Sequence, residues 1–322
     1  MARSTNFRHP WLHLLAIVVT TLALLLPGAV SAKHYSGWGL ADAVGAVNSA
    51  AADGCPIESP NGLELYIASN RTGNVGGAGD PNDIWRSTRE AVGAEWSPPV
   101  NLGATVNSGA ADFCPTPLNG GWLLFVSARG GPQACGVAPA GDIYITREHP
   151  VREWETPTHL GCAPAGPNTA GGEFSPSLVE TDEGTMLFYS SPGTDGLQDI
   201  HVSEMRPDGT FAAGVPIAGV NVNLAGAHDQ MPNVSRDGLE MVFASNRGGG
   251  AGSFDIYVTT RESTADAWGP PVSAGSGVNT LDSETRPSLS GDGERLHFGR
   301  APAAGGPGDV YVSIRTKVTR SN

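Results

Sequence analysis

The chain alternates between apolar and polar positions in the same way five times. Counted from Gly62, Gly120, Gly184, Gly238 and Gly293, the third residue is Leu65, Leu123, Leu187, Met241 or Leu296, and the fifth is Ile67, Phe125, Tyr189, Phe243 or Phe298. Apolar side chains two residues apart share one face of a strand and would not share one on a helix. The residue between them, Tyr66, Leu124, Phe188, Val242 or His297, is mostly apolar as well, so both faces of each strand are expected to be covered. Links such as Asn61-Gly62 and Asp237-Gly238 predict a hairpin back to a preceding strand, because glycine accepts the positive φ that the return requires. A third strand is predicted at Asp83-Ile84-Trp85, Asp142-Ile143-Tyr144, Asp199-Ile200-His201, Asp255-Ile256-Tyr257 and Asp309-Val310-Tyr311.

Each hairpin is led by a proline, at positions 56, 115, 176, 232 and 287, with 55 to 61 residues from one to the next. A near-constant period of this length marks one supersecondary unit repeated. Strands covered on both faces without intervening helices fit blades packed against blades. Four units end in a segment led by an aromatic residue: Trp96 to Asn107, Trp154 to Asn168, Phe211 to Asn223 and Trp268 to Asn279. The fifth lacks one, and its counterpart stands at the front as Trp38 to Asn48. The expected fold is therefore all-β, a five-bladed propeller of four-stranded antiparallel blades, its ring closed by an N-terminal strand within residues 38–48 that completes the last blade. The units start near residues 53, 112, 173, 229 and 284, and the propeller is expected to span 33–316, with a short tail at 317–322.

Pro232, Ser235-Arg236-Asp237-Gly238, Ser245-Asn246-Arg247 and Asp255-Ile256-Tyr257 resemble the WD40-like, or PD40, propeller repeat of TolB-type proteins. The first unit carries the same pattern in Ser59-Pro60-Asn61-Gly62 and Ser69-Asn70-Arg71. The resemblance implies the propeller. The extra α/β domain and six blades of TolB have no counterpart here, and its envelope role does not transfer.

Arg3 and Arg8, an apolar run from Leu12 to Leu26, and small residues up to Ala32 read as a cleavable signal peptide over residues 1–32. The mature protein is then expected in the periplasm or outside the cell, with no integral membrane segment. Loss of Arg3 and Arg8, with no acid lost, takes the net charge from −13 to −15, which disfavours nucleic acid as a partner. Four cysteines in an exported chain favour disulfides, and three pairings exist. Cys135 with Cys162 is preferred because both lie in stretches enlarged in the second unit. Cys55 with Cys114, equivalent positions in consecutive units, is the accompanying candidate. No Cys-x-x-Cys spacing points to a metal instead, so the metal question is left unassigned.

An acid stands three residues before each repeat proline: Asp53, Asp112, Glu173, Asp229 and Glu284. On the innermost strands these carboxylates would ring the mouth of the central channel and offer oxygen ligands to a cation such as Ca²⁺. Equivalence in every blade favours the plainer role of binding backbone amides where the inner strand begins. Two residues after each acid come Cys55, Cys114, Ser175, Met231 and Arg286, and His228 precedes Asp229, which gives one sector a mixed charge. Asp80, Asp83, Asp195 and Asp199 lie in the Gly-rich loops, and Trp38, Trp96, Trp154 and Trp268 read as interblade packing rather than as sugar platforms. No nucleophile elbow, zinc-protease, phosphate-loop or dinucleotide motif is present. The expected function is a non-enzymatic module that binds a protein or glycan ligand in the cell envelope, with no cofactor beyond the calcium considered above. The alternative is a carbohydrate-active enzyme, a glycoside hydrolase or lyase, using carboxylates near the central channel.

Overall fold

The computed structural model describes residues 35–77, 81–136, 140–151, 153–219 and 222–318. The expected leader, Asp80 and the last four residues lie outside these. Among the described residues twenty strands form five separate four-stranded antiparallel sheets. The first blade is β2 (Asp53–Glu58), β3 (Glu64–Ser69), β4 (Asp83–Thr88) and β5 (Val100–Asn101). The second is β6 (Asp112–Pro117), β7 (Trp122–Ser127), β8 (Asp142–Arg147) and β9 (Thr158–His159). The third is β10 (Phe174–Thr181), β11 (Gly184–Pro192), β12 (Gln198–Glu204) and β13 (Val215–Pro216), and the fourth is β14 (Asp229–Val234), β15 (Glu240–Ser245), β16 (Asp255–Thr260) and β17 (Val272–Ser273). The fifth joins β18 (Ser283–Leu289), β19 (Arg295–Ala301) and β20 (Asp309–Ile314) to β1 (Asp42–Ala43) from the front of the chain.

That last pairing closes the ring as the missing fourth segment implies. Asp42 lies opposite Val312 and Ala43 opposite Tyr311, flanked by Gly39 N–H to Ile314 C=O and Val44 N–H to Val310 C=O, both 2.9 Å. An asparagine then clasps the third strand: Asn48 accepts from Val310 N–H at 2.8 Å and donates to Val310 C=O at 3.0 Å. Asn107 does the same to Ile84, Asn168 to Ile143, Asn223 to Ile200 and Asn279 to Ile256. One side chain thus satisfies a buried backbone donor and acceptor in every blade, which explains why the aromatic-led segments all end in asparagine.

The three consecutive apolar positions of the second strands serve two neighbours at once. Tyr66 packs with Leu123 and Phe125 of the next blade, Leu124 with Leu187 and Tyr189, and Val242 with Leu296 and Phe298. Phe125, Tyr189, Phe243 and Phe298 are fully buried, each removing an aromatic side chain from water for about 1.5–3 kcal/mol. Trp96 and Trp268 are 9% and 3% exposed and pack between blades, as expected of them. Where the fifth blade meets the first, the intermediate residue is His297, and the contact is ionic. Glu58 there accepts from Arg89 and Arg295, each at 3.0 Å. Burial holds the His297 imidazole down to about 4, so it is neutral near pH 7.

Each inner strand breaks register at the residue before its proline, where Cys55, Cys114, Ser175, Met231 and Arg286 take φ of 49–59°. Non-glycine residues avoid this region at a cost of order 1–3 kcal/mol, so a bulge repeated in all five blades is held there by its surroundings.

Candidate functional site

The structure places the five ring acids at the start of the inner strands and buries all of them, Asp53 at 2% exposure and the other four at zero. Each turns back to the loop before it. Asp112 accepts from Ser108 N–H at 2.6 Å and Ser108 Oγ at 2.8 Å, Asp53 does the same with Ser49, and Glu284 takes Thr280 Oγ1 at 2.6 Å. Four of them also pair with an arginine of their own blade: Asp53 with Arg71, Asp112 with Arg129, Asp229 with Arg247 and Glu284 with Arg300. Arg71, Arg129 and Arg247 come from the Ser-x-Arg positions at the ends of the second strands, and Arg300 stands two residues earlier, at the serine's own position, so the two sequence signatures belong to one structural device. Glu173 departs from the pattern. The residue at the arginine position is Gly193, and the carboxyl is held by Thr169 N–H at 2.8 Å, Thr169 Oγ1 at 2.6 Å and Ser191 Oγ at 2.9 Å. Burial pushes Glu173 up to about 7, against the lowering effect of those three donors.

The channel wall is built from the bulge residues instead. Cys55, Cys114, Ser175, Arg286 and the repeat prolines line a constriction of about 30 Å³, room for about one water. A sugar ring does not enter it. His228 is not among the lining residues; its Nδ1 accepts from Gln198 N–H at 3.1 Å and its ring stands beside Phe254. Arg286 turns away from Glu284 to the sulfurs of Cys55 and Cys114. Cys135 and Cys162 form the disulfide expected from their enlarged loops, while Cys55 and Cys114 are free thiols with sulfurs 3.6 Å apart. The fold brings His159, which linear spacing kept apart, to 3.7 Å from Cys135 Sγ and 3.1 Å from Asp142. Of the loop acids, Asp195 accepts from Leu197 N–H at 3.0 Å and Asp83 from Val75 N–H at 2.8 Å.

The substrate-sized space lies elsewhere, at the end of the blades that carries the glycine turns, where the first and second blades meet. A cavity of about 170 Å³ is lined by Ser59, Asn61, Glu64, Tyr66, Trp122 and Glu148, among others. It shares Glu64, Gly120, Gly121 and Glu148 with an open depression of about 550 Å³ that runs to His149 and Pro150. The second volume is that of a small-molecule cleft, ~300–1,000 Å³. Inside, Arg86 donates to both oxygens of Glu148 at 2.7 and 3.2 Å and lies 3.6 Å from Glu64, whose other oxygen accepts from Tyr66 Oη at 3.0 Å. On the rim Trp122 is 37% exposed, with Arg147 over its ring at 5.1 Å.

Three members of this cleft, Arg86, Trp122 and Glu148, break the repeat. Arg86 occupies the position held by Ile145, Val202, Val258 and Val312 in the other third strands. Trp122 stands where the other second strands carry Glu64, Met186, Glu240 and Arg295. In three blades an arginine, Arg89, Arg261 or Arg315, donates to the turn glycine carbonyl at 2.6–2.7 Å. In the second blade Arg147, one residue earlier, takes that bond, which releases Glu148 to reach across to Arg86. Comparing each repeat position for the blade that deviates would have found these residues; reading the shared positions passes over them.

No family model and no curated protein matches this sequence. Solved structures match it in fold. An α-L-arabinofuranosidase from Podospora anserina is 11% identical with a TM-score of 0.57, over 88% of this chain and 98% of that one. A thermostable family-43 glycoside hydrolase is 13% identical with a TM-score of 0.54, over 86% and 92%. TolB from Acinetobacter baumannii is 13% identical with a TM-score of 0.45, over 84% and 56%, too distant to bear on the PD40 resemblance. Identities this low establish the fold alone. The expectation of a non-enzymatic binding module is nevertheless corrected: the structures matching at TM-scores of 0.54–0.57 include a family-43 glycoside hydrolase and two α-L-arabinofuranosidases, and the enzymatic alternative is the one carried forward. Among the described residues no helix is long and apolar enough to cross a membrane.

Proposed function

We propose that this protein is a carbohydrate-active enzyme that cleaves glycosidic bonds in the cleft between its first two blades, with Glu64 and Glu148 as the working carboxylates. The observation that carries the reading is the convergence of two acids, a tyrosine hydroxyl and an exposed tryptophan on a cleft large enough for a sugar. The central channel is too narrow and its neighbouring acids are turned away from it. Superposition on arabinofuranosidase and family-43 folds supports the same class of activity and makes arabinose-bearing polysaccharides the first substrates to try.

Glycosidic cleavage needs one carboxyl group to protonate the leaving oxygen and a second, ionised one to attack the sugar or activate water. The Arg86 fork stabilises a negative charge on Glu148, which suits it to the second role. Glu64, which Arg86 approaches only to 3.6 Å, takes the proton-donating role. Both acids lie within 3.6 Å of one Arg86 nitrogen, which holds the pair together in the cleft. Trp122 supplies the apolar face on which a pyranose or furanose stacks.

The test is product release from arabinan, arabinoxylan and aryl arabinosides by the purified protein. Glu148→Gln and Glu64→Gln should each lower turnover at least ~100-fold, in line with loss of a general acid or base, while Glu173→Gln retains it. Release that survives both substitutions, or an absence of release from every substrate, contradicts the proposal.

A further inference from the structure

A second group of reactive side chains sits on the propeller axis, independent of the glycan cleft. Cys55 and Cys114 are 7% and 3% exposed and stand at equivalent bulges of the first two blades. The positive φ at each aims its side chain at the channel, and the sulfurs meet at 3.6 Å. Cys55 S–H points to Cys114 Sγ, and the other polar contacts of the pair are donors to sulfur. Cys55 Sγ accepts from Cys114 N–H at 3.3 Å, Cys114 Sγ accepts from Ser175 Oγ at 3.4 Å, and Arg286 Nη1 contacts both sulfurs. Arg286 lies over the Phe113 ring at 5.3 Å, and no carboxylate pairs with it among the described residues. Arg286 is a cation set against both sulfurs without an acid partner, so a thiolate formed at either would meet its charge. Burial pushes the Cys55 thiol up and Arg286 opposes that. The other four arginines near the inner strands, Arg71, Arg129, Arg247 and Arg300, each keep a ring acid as partner, so Arg286 differs from all of them.

We propose that Cys55, Cys114 and Arg286 form a peroxide-reactive thiol pair, which a small hydroperoxide oxidises to a disulfide joining the first two blades at the axis. The steps balance. One thiolate attacks the peroxide O–O bond, takes one oxygen as sulfenic acid and expels hydroxide, which leaves as water with the proton lost by that thiol. The second thiol attacks the sulfenic sulfur, forming the S–S bond and releasing a second water, so two thiols and one hydrogen peroxide give one disulfide and two waters. The constriction of about 30 Å³ sets the selectivity: hydrogen peroxide, little larger than water, reaches the sulfurs, and a bulky disulfide such as oxidised glutathione does not.

The experiment treats the folded full chain, with both axial cysteines reduced at the outset, with hydrogen peroxide or with oxidised glutathione. It is followed by denaturation, alkylation and peptide mass mapping. Peroxide should abolish labelling of both Cys55 and Cys114, lower the mass by two hydrogens and yield a cross-linked peptide pair, while glutathione leaves both labelled. Arg286→Met should slow peroxide closure about tenfold, one unit of thiolate equilibrium, with thermal unfolding confirming that the variant is folded. Full labelling after peroxide, conversion to sulfinic or sulfonic acid without a cross-link, or an undiminished rate in folded Arg286→Met overturns the proposal.

Discussion

Glu173→Gln isolates the one ring acid that lacks an arginine. Its neighbours donate three hydrogen bonds, yet burial dominates and holds the carboxyl near 7 against an ordinary 4.5. At 1.36 kcal/mol per unit, keeping this group ionised in the folded protein costs about 3 kcal/mol. The sign follows from where the proton sits. Below about pH 4.5 the carboxyl is protonated in folded and unfolded chains alike, and it costs nothing. Between 4.5 and 7 the unfolded chain ionises while the folded one keeps its proton, so stability falls as pH rises, and the loss levels off above 7. Glutamine removes the titration and keeps an acceptor for Thr169 N–H, whose hydroxyl neighbours can rotate to meet the amide. Urea unfolding should therefore find Glu173→Gln about 2–3 kcal/mol more stable relative to wild type at pH 8 than at pH 5. A difference between the two proteins that is the same at both pH values, or that reverses, refutes the assignment of a buried, arginine-free carboxylate.

Two further substitutions probe the ring itself. Asp229→Asn strips the charge that Arg247 faces, and the variant should lose about 3 kcal/mol in urea unfolding, opposite in sign to Glu173→Gln at pH 8. Asn48→Ala removes both hydrogen bonds to Val310 and should cost about 2 kcal/mol, read as a lower unfolding midpoint at unchanged slope, because a buried backbone donor and acceptor of the third strand lose their partner.

The blades were legible because each shared residue answers a local demand. Glycine at Gly62 or Gly238 accepts φ of 72° at the hairpin, alternate apolar residues pack on the neighbouring blade, and asparagine finishes each outer segment. Ring closure followed from one missing segment. The cleft was not legible in the same way. A ring acid is conspicuous through repetition, but repetition signals a backbone role, as the hydrogen bonds of Asp112 and Glu284 show. Arg86, Trp122 and Glu148 occur once, at positions that are different residue types elsewhere, and only the approach of two blades puts them together. The free thiols illustrate the converse: Cys55 and Cys114 share a repeat position, which in a linear chain looks too remote for contact, yet the bulges turn both sulfurs onto the axis.

Trp122 offers the most direct measurement on the central claim, because it stands on the cleft rim and away from the channel. Arabinan or arabinoxylan oligosaccharides should change the intrinsic fluorescence of the inactive Glu148→Gln protein on saturable titration, and adding Trp122→Ala should abolish the change. A saturable signal that persists without Trp122, or competition for it by changes confined to the axial channel, would contradict a glycan site between the first two blades.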